Sequence, residues 1–72
     1  MNRHMELEKL SKRIKELRVL KNISQEKLAE LCDFDRTYIS MLERSKRNPS
    51  YLNLLKLCKG LQISISELLD FK

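Results

Sequence analysis

The sequence predicts an all-α fold, a single compact domain built from five helices. Apolar residues recur at three- and four-residue steps along most of the chain, which is the period of an amphipathic helix. No segment combines two-residue alternation with hairpin signals, and the alternation at residues 62–66 is too short for a sheet. Because 72 residues suffice for one small core and no linker, repeat or low-complexity tract interrupts them, one domain is predicted over residues 1–72.

The first helix is predicted over residues 6–21, after a short polar lead-in at residues 1–5 that lacks the apolar segment of a signal peptide. Asn22 is expected to end this helix in the left-handed conformation, which asparagine tolerates. The inner stripe of the helix consists of apolar side chains at helical spacing: Leu7, Leu10, Ile14 and Leu17.

Two short helices joined by a three-residue turn are predicted over residues 24–44. Ser24 caps the first of them, and Asp33 is expected to be left-handed in the turn. Asp35 then caps the next helix, residues 36–43, which faces inward through Ile39 and Leu42. The inner face of the first of these helices comprises four residues: Leu28, Ala29, Leu31 and Cys32.

Two more helices complete the predicted domain. A polar, basic loop over residues 44–48 is followed by Pro49 and by Ser50, which caps a fourth helix that runs through Leu61. Either Ser64 or Ser66 is expected to start a last helix around residues 67–71.

The charge of the chain points to a polyanionic partner. The formal net charge is +5, and basic residues flank a more acidic middle segment. Basic flanks suit a protein that holds phosphates on both sides of a groove. Charge alone does not distinguish DNA from RNA or from an anionic membrane surface.

Several kinds of site are not expected. Cys32 and Cys58 lie at apolar helical positions and predict buried thiols in a reducing cytoplasm, without a metal site or a cofactor. No apolar run approaches the roughly 20 residues that span a bilayer. Catalysis is not expected either, because His4 is the single histidine and Gly60 the single glycine, which leaves no phosphate-cradling loop. The sequence shows no small-molecule effector site.

The third helix carries the candidate reading face. Its side chains away from Ile39 and Leu42 are Arg36, Thr37, Ser40 and Met41. Arg36 can form a bidentate pair with guanine, and Thr37 can contact a base edge or a phosphate. Met41 is expected to be exposed and to pack on a thymine methyl group. For Tyr38 a mixed role is predicted, half-buried in the core with its hydroxyl group at a phosphate.

Two segments beside this helix are predicted to contact phosphates. Ser24 and Gln25 can offer hydroxyl, amide and backbone N–H groups at the start of the second helix. The basic loop after the third helix would position that helix on the DNA backbone. Its predicted contact residues are Arg44, Ser45, Lys46, Arg47 and Asn48.

The chain resembles the Cro/CI-type (Xre-like) helix-turn-helix regulators of phages and bacteria over Ile14 to Leu69. The matching segments are SQEKLAELC, FDRTYISMLER and RNPSYLNLLKLCKGLQISISELL, and DRTYISMLERSKRNPS is most similar to controller proteins of restriction–modification systems. The resemblance implies a lambda-repressor-like fold and the DNA contacts just named. It also implies a partly buried ion pair between Arg18 and Glu43. At Asp33, Ser45 and Gln62 this chain departs from the glycines that are frequent in the family.

A second apolar surface predicts a homodimer. The core needs Leu54, Leu57, Cys58 and Leu61 from the fourth helix, which leaves further apolar residues on its other side. A symmetric dimer matches a palindromic site. The predicted interface consists of Tyr51, Leu52, Leu55, Ile65, Leu69 and Phe71.

The predicted function is sequence-specific binding of double-stranded DNA by a homodimeric transcriptional regulator, with restriction–modification genes as its target and RNA polymerase as a further partner in activation. Two alternatives remain open: a prophage or plasmid repressor of the same fold, and an antitoxin-like protein-interaction module in which DNA binding is secondary.

Overall fold

The computed structural model describes residues 3–71, and over this range the chain is helical without strands. The helices pack pairwise: α2 on α3 and α4, α1 on α3 and α5, and α4 on α5. The predicted all-α, five-helix architecture is therefore confirmed. The helices are α1 (Arg3–Leu20), α2 (Gln25–Cys32), α3 (Arg36–Glu43), α4 (Tyr51–Leu61) and α5 (Ile65–Leu68).

One hydrophobic core joins all the helices. Each fully buried leucine or isoleucine contributes about 1.5–3 kcal/mol relative to leaving it in water. Because the core residues come from every helix, the position of α3 depends on its neighbours rather than on its own eight residues. The largest fully buried side chains are Ile14, Leu28, Ile39, Leu42, Leu57, Leu61 and Leu68.

Side-chain caps begin the four shorter helices. Ser24 accepts a hydrogen bond from the Lys27 backbone N–H, and Asp35 accepts one from Thr37. Ser50 caps α4 in the same way, and Ser64 forms a reciprocal capping box with Glu67 that starts α5. Each cap satisfies backbone donors that a helix start leaves without partners, so the helix starts follow from local sequence.

Left-handed residues end three of these helices and α1. Asn22 (φ 57°) and Asp33 (φ 59°) adopt this conformation as predicted. Ser45 (φ 61°) and Gln62 (φ 58°) adopt it too, although the resemblance places glycine there. The left-handed turns thus persist with side chains that cost about 1–2 kcal/mol each in this conformation.

Two predictions about the helix bounds were wrong. α1 begins at Arg3, so residues 3–5 are helical, while Met1 and Asn2 lie outside the described residues. Its early start is supported by side-chain contacts at helical spacing, including His4 Nε2 with Glu8 Oε1 at 2.7 Å. α5 spans Ile65–Leu68 and does not reach Phe71; Ser64, the earlier of the two expected starts, caps it.

Leu31 is not on the inner face of α2. Its side chain is 45% exposed, whereas Leu28, Ala29 and Cys32 are buried. The three buried residues form a stripe at helical spacing, and Leu31 lies to one side of it. One apolar residue of this short helix therefore faces outward.

Both cysteine thiols are buried and free. Burial raises the pKa of the Cys32 thiol to about 11, and burial likewise raises the pKa of Cys58. Between residues 3 and 71, no cluster of His, Cys, Asp or Glu side chains has the makings of a metal site. Over the same range no helix has the length and apolar character that crossing a membrane requires.

Candidate nucleic-acid interface

The outward face of α3 presents polar groups at the start of the helix. Arg36 and Thr37 are exposed, and Asp35 fixes the first turn beneath them by accepting from the Thr37 N–H. Ser40 is half-buried, and the Arg44 Nε donates to its carbonyl at 3.3 Å, so Arg44 folds back along the helix. This end of α3 therefore offers hydrogen-bonding groups from a rigid, capped helix.

Met41 differs from its predicted state because it is half-buried rather than exposed. A long side chain on a helix lies against the preceding turn, and this contact buries part of the side-chain surface. Met41 therefore presents only part of its apolar side chain to a partner.

The side chain of Tyr38, on α3, contacts the turn before α3, the basic loop and α4. Its ring centroid is 4.7 Å from that of Phe34, and the Arg47 guanidinium lies 5.1 Å from the centroid of the Tyr38 ring. Its hydroxyl oxygen accepts a hydrogen bond from Asn53 Nδ2 at 2.9 Å. Tyr38 is half-buried as predicted, and its contact with a phosphate stays a prediction.

A buried ion pair connects α1 to the end of α3. Arg18 Nε donates to Glu43 Oε2 at 2.7 Å, and Arg18 Nη2 donates to Glu43 Oε1 at 3.0 Å. The exposed fractions of the two side chains are 13% and 3%. Arg18 Nη1 also donates to the Ile23 carbonyl at 2.9 Å, so the fork holds the α1–α2 connection as well.

Gln25 belongs to the same network. Its Nε2 donates to Glu43 Oε1 at 3.1 Å, which places its amide group against the ion pair rather than in the solvent. The predicted phosphate contact is left to the remaining amide hydrogen and to the backbone N–H groups at the start of α2. Ser24, by contrast, is exposed beside its capping role.

The basic loop leaves α3 through a Schellman motif. The Lys46 N–H donates to the Met41 carbonyl at 2.8 Å, and the Ser45 N–H donates to the Leu42 carbonyl at 3.3 Å. The Ser45 hydroxyl group also donates to the hydroxyl oxygen of buried Ser11 at 2.9 Å. These contacts fix the direction in which the loop departs.

The loop side chains divide into two groups. Lys46, Arg47 and Asn48 are exposed, as expected of side chains available to phosphates. The Ser45 hydroxyl group is instead occupied with Ser11 on α1, because the left-handed backbone turns its side chain toward that helix. Ser45 thus shapes the loop, and its charged neighbours supply the positive potential.

The second apolar surface is present on α4. Tyr51, Leu52 and Leu55 are exposed, and Leu52 is 71% exposed. Of the other residues predicted for the interface, Leu69 is exposed and Ile65 packs partly against the core. Exposed leucines on a capped, rigid helix leave apolar area in water, as a docking surface does.

Phe71, the last residue predicted for the interface, lines an open groove of about 720 Å³ between the start of α1 and the end of the described chain. Leu69 lines the same groove. The apolar side chains opposite them come from α1, and the lining residues are Arg3, His4, Glu6, Leu7, Leu10, Asn48, Leu69 and Phe71.

Two residues at the site were missed by the sequence analysis, Ser11 and Asn53. Ser11 occupies the core phase of α1, three residues before Ile14, and is buried. Asn53 is the polar residue between two leucines in an otherwise apolar helix start. A polar side chain in an apolar phase signals a specific partner, but the partner itself is not visible in the sequence.

A helix-turn-helix family model matches residues 14–68 of this chain. The chain belongs to the helix-turn-helix family. It is 48% identical over 60 residues to the control protein C.BamHI of Bacillus amyloliquefaciens, a match that covers 82% of this chain and 74% of that protein. It is 49% identical over 57 residues to the control protein C.MunI of a Mycoplasma species, which covers 78% and 77% of the two chains.

Solved structures give the same result for this helix-turn-helix protein. The crystal structure of the restriction–modification controller protein C.AhdI from Aeromonas hydrophila matches with a TM-score of 0.86 and 45% identity, over 89% of this chain and 97% of that one. The hypothetical transcription factor NHTF from Neisseria matches with a TM-score of 0.82 and 36% identity, over 88% and 72%. The predicted family and its resemblance to controller proteins are confirmed.

Proposed function

We propose that this helix-turn-helix protein regulates transcription by binding a specific double-stranded DNA sequence. The observation that carries the proposal is the combination of Arg36 and Thr37 at the exposed start of α3 with a basic loop directly after the helix. Base-reading groups and phosphate-binding groups then lie at opposite ends of one rigid element. A helix-turn-helix places its second helix in the major groove in this way.

Each candidate contact has a defined chemical role. Arg36 reads guanine O6 and N7 with its fork, which contributes roughly 1–3 kcal/mol of discrimination. Thr37, Ser40 and the exposed part of Met41 read neighbouring base edges. Phosphates are held by the side chains of the basic loop and of Tyr38 and by the start of α2 at Ser24 and Gln25.

The protein acts as a homodimer on a palindromic operator. The exposed apolar face of α4 supports this assembly, since two copies can bury it against each other. The two copies of α3 would then lie about 34–36 Å apart and enter successive major grooves on one side of the duplex.

The target genes are those of a restriction–modification system. The support is the similarity to the C.BamHI, C.MunI and C.AhdI control and controller proteins. The protein works in the cytoplasm without catalysing a reaction. The position of the operator decides the outcome, which is repression where it covers a promoter and activation where the bound protein contacts RNA polymerase.

The deciding experiment is selection of bound duplexes from a random DNA pool at two salt concentrations. A two-fold symmetric site that remains enriched at the higher salt concentration is the expected result. Binding without enrichment that disappears with salt would leave only attraction to the DNA backbone. The antitoxin-like alternative would then become the better explanation, whereas an operator beside phage genes would favour the prophage repressor.

Two substitutions separate base reading from phosphate binding. Arg36→Ala should reduce affinity for the selected site and relax its preference at one base pair, with little change on random DNA. Lys46→Ala should weaken all sequences alike and lower the salt slope by about one. Lys15→Ala, at an exposed position of α1, is the matched control and should change neither quantity.

Leu52→Glu tests the dimer. Two glutamates brought into an apolar interface would be desolvated, so sedimentation should show a dimer at micromolar concentration for the unchanged protein and a weaker one for the variant. Lys15→Glu, at an exposed position of α1 and away from the apolar face of α4, is the control for added negative charge. A monomer at every accessible concentration of the unchanged protein would rule the assembly out.

A further inference from the structure

Asn53 makes a polar contact that joins two parts of the molecule with different proposed tasks. It lies on α4 next to Leu52, and its Nδ2 donates to the Tyr38 hydroxyl oxygen of α3 at 2.9 Å. We propose that Asn53 is a positioning residue that aims the Tyr38 hydroxyl hydrogen at a DNA phosphate. The proposal rests on the DNA-binding function argued above and assigns a role within it.

The direction of the hydrogen bond decides where the phenolic hydrogen goes. An amide NH₂ group only donates, so the Tyr38 oxygen serves as the acceptor in this contact. The single O–H hydrogen of Tyr38 is therefore not used by Asn53 and remains available to another acceptor. A phosphate oxygen is a strong acceptor for it, because hydrogen bonds with one charged partner are shorter and stronger than neutral ones.

The ring of Tyr38 is held from other sides as well. Phe34 packs against it with ring centroids 4.7 Å apart, and Arg47 of the basic loop lies over its face at 5.1 Å. With the ring fixed, the amide of Asn53 leaves the hydroxyl group little rotational freedom to lose on binding. The Arg47 guanidinium also places positive charge over the ring, and positive charge near the site attracts phosphate.

Asn53 itself is fixed by the start of its helix. Its backbone N–H donates to the Ser50 cap at 3.1 Å, so the residue occupies a set position in the first turn of α4. Tyr51 and Leu52 of the proposed dimer face belong to the same turn. The contact consequently links the α4 surface proposed for dimerisation to a phosphate donor on the reading helix.

A double-substitution cycle on the selected duplex tests the proposal. Tyr38→Phe should weaken binding about tenfold, which corresponds to ~1.4 kcal/mol, and Asn53→Ala should weaken it several-fold. The double variant should bind no more weakly than Tyr38→Phe alone, since Asn53 acts through the hydroxyl group. Independent, multiplying losses would overturn the proposal. Ser66→Ala, which removes a hydroxyl group from an exposed position of α5 with no proposed DNA or dimer contact, is the control and should leave affinity within twofold.

Asn53→Asp distinguishes aiming from mere packing. A carboxylate accepts the phenolic hydrogen and turns it away from DNA, so affinity should fall further than with Asn53→Ala. The same substitution in the Tyr38→Phe background measures the effect of the added charge alone. If Asn53→Asp bound DNA as tightly as the unchanged protein, the hydroxyl hydrogen would not be directed at DNA and the proposal would fail.

Two measurements distinguish failure of the positioning role from failure of the proposed DNA-binding function. In the free protein, the side-chain amide signal of Asn53 in an NMR spectrum should shift when Tyr38→Phe removes its acceptor, and thermal unfolding should show every variant folded at the assay temperature. A duplex that is selected without coupling between the two residues would refute only the positioning role. Absence of any selected duplex would refute the DNA-binding function and this role together.

Discussion

Replacement of Glu43 should destabilise the domain far more than replacement of an exposed glutamate. The Glu43 side chain is 3% exposed and accepts from Arg18 Nε, Arg18 Nη2 and Gln25 Nε2. Removing one partner of a buried pair leaves the other charge uncompensated, at a cost of about 3–5 kcal/mol. A chain of 72 residues has a total stability of roughly 4–11 kcal/mol, so Glu43→Ala should remove a large part of it.

The milder Glu43→Gln variant gives a measurable number. Its amide can accept from one arm of the Arg18 fork, but its NH₂ group faces a second donor, so a loss of about 2 kcal/mol is expected. Urea unfolding followed by circular dichroism measures this loss as a shift of the midpoint. Glu30→Gln is the matched control: Glu30 is 70% exposed, it pairs with Lys27 at 3.3 Å, and its replacement should cost less than about 0.5 kcal/mol.

A double substitution tests the physical reason for the effect. Arg18→Met together with Glu43→Leu removes both charges and should recover most of the stability that either single change loses. Recovery should fall short by about 1 kcal/mol for each abandoned hydrogen bond, at the Ile23 carbonyl and at Gln25. Equal costs for Glu43→Gln and Glu30→Gln, or a double variant as unstable as the sum of its singles, would refute the reasoning.

Three further predictions concern a left-handed turn, a close contact between two helices and a buried thiol. Gln62→Gly should raise stability by up to about 1 kcal/mol in chemical unfolding, because Gln62 is left-handed at φ 58° and glycine adopts this conformation more easily. As the control, Lys59→Gly inside α4 should lower stability by about as much. Gly60→Ala would place a Cβ atom close to Cys32 Sγ and 3.2 Å from the Cys32 nitrogen. Thermal unfolding should show a stability loss of about 1–3 kcal/mol, which Cys32→Ala should partly restore. An unchanged melting temperature would contradict this close packing. Burial raises the pKa of Cys32 in the folded protein from 9.0 to about 11. Because the unfolded chain loses this proton first, the stability of the fold should decrease as the pH rises from 9 to 11, by roughly 3 kcal/mol in total. Stability measured against pH should therefore fall more steeply in the unchanged protein than in Cys32→Ala, and parallel curves would argue against the shift.

Most of the fold was predictable because its determinants are local. Ser24, Asp35 and Ser50 cap the helices that follow them, and each accepts from a backbone N–H two or three residues ahead. The core stripes follow the helical period, so residues such as Ile14 and Ile39 were assigned correctly. Leu31 was misassigned because an eight-residue helix offers too few apolar positions to define the edge of its stripe.

For the candidate site, the sequence predicted which side chains are exposed better than it predicted their contacts. Arg36 and Thr37 are exposed as expected, since their position on the helix follows from the inward direction of Ile39. The ion pair between Arg18 and Glu43 was expected from the family resemblance alone. Periodicity gives the direction of each side chain but not the residue on another helix that it meets.

The sequence by itself determined the all-helical fold, the caps, most of the core stripes, the excess of positive charge and the outward positions of Arg36 and Thr37. The tertiary structure alone decided which polar groups remain available there. Gln25 turns to Glu43, Ser45 to Ser11, and Tyr38 accepts from Asn53, across 15 to 34 positions of the chain. The physical reason is that a hydrogen bond requires its two atoms to approach within about 3 Å, and for residues on different helices that distance is set by the packing of the whole core.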